Sequence, residues 1–156
     1  MNLNREFAYL LISICFVACL SCQRSHSTSD KSQNNSKDLY EPSELANTMR
    51  EMAYDMEALR LRVYSGELSA GEVDDLISSH SKMGTDNPTD IDEIKPSFEL
   101  FSKTYIEQLE ELKIIVLDQD KISEQIILFN AALSTCVSCH REHCPGPISR
   151  IEKIKI

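Results

Sequence analysis

The chain has 156 residues, which is enough for one modest domain with a hydrophobic core of its own. Aromatic residues make up only 6% of the sequence, tryptophan is absent and glycine occurs 4 times, so the composition favours packed helices over a β-sandwich. The net charge of −9 argues against nucleic acid as a partner and favours a basic docking partner.

Residues 1–21 have the pattern of a lipoprotein signal peptide. Arg5 precedes an apolar run at residues 7–20, which is short for a membrane span and typical of a signal-peptide core. At the end of this run a small residue precedes a cysteine, as in a bacterial lipobox, at both Cys19 and Cys22. We expect lipidation at Cys22 rather than Cys19, because cleavage there leaves no stray thiol in the mature protein. An ordinary cleaved signal is the alternative, and both place the domain on the periplasmic side of the inner membrane.

The rest of the chain is expected to form three segments. Residues 22–41 are rich in Ser, Asn, Lys, Asp and Gln, which cannot form a core, and are predicted to be a flexible tether. Residues 42–147 carry helical apolar spacing and are predicted to be the folded domain. Residues 148–156 are expected to be a short basic tail.

Two helices are predicted in the first half of the domain. The first begins near Ser43 and ends at Gly66, a residue type common just after helix ends. The second opens with Ser69 and Glu72, the spacing of a capping box, and ends near Gly84. The apolar faces are Leu45, Met49, Met52, Met56, Leu59 and Val63 in the first helix, and Val73, Leu76, Ile77, His80 and Met83 in the second.

Two further helices are predicted in the second half. The third begins near Ser97, and the fourth is capped by Asp118 or Asp120 and ends before Pro145. Four helices joined by short connections predict an all-α fold, an antiparallel up-down-up-down four-helix bundle. The apolar faces are Phe98, Phe101, Tyr105, Leu109, Leu112 and Val116 in the third helix, and Ile122, Ile126, Phe129, Leu133, Cys136 and His140 in the fourth.

The fourth helix ends with the motif CxxCH, formed by Cys136, Cys139 and His140. Two thiols at this spacing reach the two vinyl groups of one haem, and the next histidine can bind its iron, so the motif predicts one covalently attached haem c. A zinc site could instead use Cys136, Cys139, His143 and Cys144. Structural zinc sites usually draw their ligands from two separated pairs, whereas these four lie on one helix. The two motif cysteines could also form a redox-active pair or serve a purely structural role.

An export signal, four helices and CxxCH on the last helix together resemble the class II c-type cytochromes, the cytochrome c-prime group, over residues 42–144. The resemblance implies that Cys136 and Cys139 form thioethers with the haem and that His140 is the proximal iron ligand. In that group a basic residue commonly lies four positions after the histidine, where this chain has Cys144.

The sixth iron ligand decides the expected function, and in the resembling group the first helix supplies the residue at that position. The helical rise places Met49 level with His140 in an antiparallel bundle. We therefore expect His140 and Met49 to bind the iron of a monohaem electron carrier without enzymatic activity, working with a redox partner in the cell envelope. If Leu45 faces the iron instead, the haem is five-coordinate and binds small gases such as nitric oxide. His80 is the main rival for the sixth position.

A copper carrier is a further alternative. Met49, Met52 and Met56 could bind copper through their thioethers, although core filling is the simpler explanation of each methionine. Copper binding would leave the CxxCH motif unexplained.

Overall fold

The computed structural model describes residues 41–156, and this part of the chain is helical without strands. The predicted signal peptide, nearly all of the tether and both candidate lipidation sites, Cys22 and Cys19, lie outside the described residues. The all-α prediction is confirmed for the folded domain.

Five α-helices follow one another along the domain, with two short 3₁₀ turns between the second and the third. They are α1 (Glu44–Ser65), α2 (Ala70–His80), α3 (Ser97–Ile115), α4 (Ile122–His143) and α5 (Ile148–Ile154), and the 3₁₀ turns are Ser81–Gly84 and Ile91–Glu93.

The ends of α1 and the start of α2 are formed by the predicted capping residues. The Ser43 hydroxyl accepts a hydrogen bond from the Ala46 amide at 3.1 Å, which satisfies a donor that the first turn leaves open. Gly66 ends α1 at φ +71°, a left-handed conformation in which a side chain is strained. A Cβ there would also lie 2.7 Å from the Ile122 side chain, so α1 and α4 approach closely at this glycine. Ser69 begins α2 with the predicted capping box.

The predicted cap of α4 is wrong. Lys121 is the residue before the first turn, and it makes no capping side-chain hydrogen bond. Asp118 instead stabilises the preceding turn, because its side chain accepts from the Asp120 amide at 3.2 Å and its carbonyl accepts from the Lys121 amide at 3.1 Å. Because both aspartates belong to this tight turn, neither of them lies directly before the first turn of α4.

Helix α5 was not predicted. It follows Pro147, and Ile151 and Ile154 on one of its faces are buried against α4 and α1. The side-chain amide of Asn130 on α4 pairs with the backbone of Ile156 through hydrogen bonds of 2.9 and 3.0 Å. The segment expected to be a basic tail is therefore packed on the domain.

The core lies between α1, α2, α3 and α4, and α3 packs against both α2 and α4. Helix α4 is the one described helix long and apolar enough to cross a membrane. Core helices share this composition, and α4 packs against α1, α3 and α5, so composition alone is weak grounds for a membrane span. The largest fully buried apolar side chains are Phe129, Leu109, Leu112, Leu133, Val63 and Val73.

Candidate functional site

Two adjoining cavities separate the last turns of α4 from the first half of α1. The outer cavity has a volume of about 350 Å³ and the inner one about 30 Å³. Cys139, His140 and Met49 line both cavities, and Cys136 lines the inner one. The structure therefore brings together all four of the haem-binding residues expected in this part of the chain.

The CxxCH motif lies at the border of the core rather than within it. Cys136, Cys139 and His140 are half-buried, whereas Val137 is only 4% exposed. At this end of α4 the buried position is thus Val137, one residue after Cys136, which the apolar spacing had predicted to be buried. This offset leaves the thiols and the imidazole on the cavity wall, where a bound molecule can reach them.

The His140 imidazole is fixed by the end of its own helix. Its Nδ1 lies 3.0 Å from the carbonyl oxygen of Cys144 and 3.1 Å from the Cys144 sulfur. Because a carbonyl only accepts, Nδ1 carries the proton and Nε2 keeps its lone pair. Burial lowers the pKa of His140, which favours the neutral ring. Metal-binding histidines have this tautomer and this kind of carbonyl partner.

Both motif thiols are protonated at neutral pH. Burial raises the pKa of Cys136 to about 12 and that of Cys139 to about 11. Within residues 41–156, no group of three or more His, Cys, Asp or Glu side chains is arranged to hold a metal ion. The zinc alternative therefore has no preassembled ligand set.

The three methionines of α1 have different surroundings. Met49 is half-buried and lines both cavities, Met52 is 6% exposed and lines the inner one, and Met56 is 3% exposed and lines neither. Met49 is thus the thioether that shares both cavities with His140. Because the Met56 thioether lies outside both cavities, the three sulfurs do not share the single site that the copper alternative needs.

His80 is a hydrogen-bonded core residue. It is 1% exposed and lines neither cavity. Its Nε2 lies 3.1 Å from Asp55 Oδ2, and its Nδ1 lies 2.7 Å from the Tyr105 hydroxyl. The carboxylate accepts from Nε2–H, so Nδ1 accepts from the tyrosine. Iron binding by His80 would break one of these buried bonds, which counts against it as the sixth ligand.

His143 joins α4 to the start of α3. The Lys95 amide donates to His143 Nδ1 at 3.4 Å, and His143 Nε2 lies 3.3 Å from the Ser97 hydroxyl. The ring also meets the edges of Phe98 and Phe101 with centroid distances of 5.8 and 6.3 Å. Both ring nitrogens are engaged, which further weakens the zinc alternative.

The sequence did not place either arginine of the outer cavity at the site. Arg50 lines it from α1 and Arg150 from α5. Arg50 directly follows Met49, so its place near the site could have been inferred from that neighbour. Arg150 carries no such signal, because α5 was not predicted.

The donors present are compatible with haem. Two thiols one turn apart and a histidine with an open Nε2 line one side of the cavities, and a thioether lines the other. A haem brings four nitrogen ligands of its own, so one imidazole and one thioether complete its iron without a larger protein ligand set. The five residues from Cys136 to His140 thus suit a haem better than a bare metal ion. Comparison of the chain with protein-family models, with curated proteins and with solved structures finds no match.

Proposed function

We propose that the protein is a monohaem c-type cytochrome that transfers single electrons in the cell envelope, lipid-anchored through Cys22 and partnered by another redox protein. One observation carries the proposal: Cys139, His140 and Met49 line the same two cavities, and Cys136 lines the inner one. The haem would supply the one-electron couple, held through Cys136 and Cys139.

The chain's own residues would set the properties of this centre. The Cys144 carbonyl orients His140 and keeps its Nε2 unprotonated for the iron. As an iron ligand, the Met49 thioether would favour the reduced iron and so raise the reduction potential. Phe98 lines both cavities and adds an apolar ring to their walls. This set of ligands would serve electron transfer.

We also propose that α1 to α4 form an antiparallel up-down-up-down four-helix bundle of the cytochrome c-prime type. The start of α2 lies at the end of α3, where Asp74 pairs with Lys113. The start of α3 lies at the end of α4, where the Ser97 hydroxyl donates to Glu142 at 2.6 Å. Contacts between opposite helix ends support antiparallel neighbours, and α5 is an addition to that arrangement.

A five-coordinate haem that binds small gases such as nitric oxide is the second candidate. Leu45 lines the outer cavity from α1, one turn before Met49. If Leu45 faces the iron and the Met49 side chain turns away, the sixth position is open and apolar. This candidate shares the attachment residues and differs only in the occupant of the sixth position.

Expression with the haem-attachment machinery tests the proposal. We expect a covalently bound haem that Cys136→Ser and Cys139→Ser together abolish and that Cys144→Ser, the matched control, leaves in place. Reduced-minus-oxidised absorption spectra should show a low-spin haem. Absence of bound haem in the wild-type chain would sink both candidates. A high-spin ferrous spectrum that shifts with carbon monoxide would instead select the gas-binding candidate.

A further inference from the structure

The wall of the outer cavity has the opposite charge balance from the rest of the protein. The sequence has 25 acidic and 16 basic residues. Among the described residues that line this cavity, however, Arg50 and Arg150 are accompanied by a single carboxylate, Asp90. A net positive wall in an acidic protein favours an anionic group inside the cavity.

The two guanidinium groups are held at the cavity without being fully neutralised. Arg50 donates to the neutral side-chain oxygen of Asn47 at 3.0 Å, and it forms no ion pair within residues 41–156. Arg150 lies over the Tyr54 ring, 4.5 Å from its centroid, and 3.5 Å from the Glu57 carboxylate. The Arg150–Glu57 pair is exposed and weak, so it can be exchanged for another carboxylate.

We propose that Arg50 and Arg150 bind the two propionate carboxylates of the haem. This inference rests on the proposed function. The thioethers to Cys136 and Cys139 would fix the vinyl edge of the ring toward α4, and the propionates leave the ring from the opposite edge. Guanidinium groups match carboxylates in charge and in the geometry of their paired N–H donors.

Helix α5 gives this proposal its structural basis. Ile151 and Ile154 are buried, and they fix the helix that carries Arg150 against the domain. This helix lies beyond residues 42–144, the part of the chain that resembles the cytochrome c-prime group. Cys144 carries no positive charge, but Arg150 lines the same cavity and supplies one from α5.

Metal-free protoporphyrin IX and its dimethyl ester test the proposal on the full mature chain made without haem attachment. The two probes share the ring and its vinyl groups and differ in the two carboxylates. We expect fluorescence titration to show that the wild type prefers the diacid by about tenfold, since two exposed ion pairs amount to about that factor. Arg50→Gln with Arg150→Gln should abolish the preference, whereas Arg60→Gln, an exposed arginine elsewhere on α1, should retain it.

The outcomes separate this inference from the proposed function. If the wild type and the double variant prefer the diacid over the dimethyl ester to the same extent, the arginine assignment is overturned and the haem proposal is unaffected. Binding of neither probe contradicts this inference, whereas the haem proposal itself is overturned by the absence of covalently bound haem after expression with the attachment machinery. Potentiometry of the haem-loaded protein provides a second measurement that does not need the chain to fold without haem. The double variant should lower the reduction potential, because lost positive charge stabilises ferric iron, and an unchanged potential contradicts the proposal.

Discussion

Replacing each α1 methionine by alanine should separate the residue that we propose as an iron ligand from those that fill the core. Met56 is 3% exposed and Met52 is 6% exposed, so truncation of either leaves a buried cavity. Each substitution is expected to cost about 2–5 kcal/mol of unfolding free energy. Met49 is half-buried and borders a cavity already present, so Met49→Ala should cost about half as much.

The spectroscopic order should be the reverse. Only Met49→Ala removes the thioether that shares both cavities with His140, so only this variant should convert the low-spin haem to high spin. Met56→Ala should keep the low-spin spectrum despite the larger loss of stability. The most destabilised variant would thus retain the wild-type iron environment, and the least destabilised one would lose it.

Two assays are needed because an iron–sulfur bond itself adds stability. Urea unfolding of the chain made without haem measures the packing cost alone, and absorption spectra of the haem-loaded variants report the iron ligands. A loss of 2–5 kcal/mol corresponds to a fall in melting temperature of about 10–20 °C for a domain of this size. The reasoning fails if Met56→Ala becomes high-spin while Met49→Ala stays low-spin, or if Met49→Ala is the most destabilising of the three.

Three further outcomes are expected. Gly66→Ala should lose about 2 kcal/mol or more in urea unfolding, from its left-handed φ and its contact with the Ile122 side chain, whereas Gly71→Ala, with nothing within 4 Å of its Cβ, should not destabilise. Burial lowers the pKa of His80 in the folded state. As the pH falls below 6.5, the ordinary pKa of histidine, the unfolded chain therefore binds a proton before the folded chain does. The free energy of unfolding should fall by up to about 1.4 kcal/mol per pH unit, until the pH reaches the lowered pKa of the folded state. That slope should be smaller in urea unfolding of His80→Gln than in the wild type, and the part that remains comes from His140, whose pKa burial also lowers. Metabolic labelling with a radioactive fatty acid should be lost in Cys22→Ala and kept in Cys19→Ala, and the reverse result would contradict the assigned lipidation site.

The helices could be predicted from the sequence where local signals determine them. The serine cap of α1, the capping box of α2 and the stop at Gly66 each depend on residues within one helix turn, so the sequence identifies them without knowledge of the fold. The start of α4 could not be predicted in this way. Asp118 and Asp120 are both suitable caps, and the geometry of the preceding turn decides that neither of them caps the helix.

Tertiary packing determines what the sequence could not reveal about α5 and the cavity. A helix of 7 residues is too short to be stable alone, and α5 forms because Ile151 and Ile154 find a surface on the domain. Met49 and His140 line the same two cavities, and the helical rise could place these two residues level with each other because both lie on long regular helices. The contribution of Arg150 depends on a contact between elements and has no periodic signature.

The contact between Cys144 and His140 has a physical explanation in the end of α4. The resembling group commonly has a basic residue at this position, but here the helix stops at His143, before Pro145. Cys144 is in an extended conformation, with φ −154°, and its carbonyl is therefore not committed to a further helical hydrogen bond. That carbonyl accepts from His140 Nδ1 and fixes the ring tautomer. The backbone thus orients the His140 imidazole, and no positive side chain at residue 144 is needed for that task.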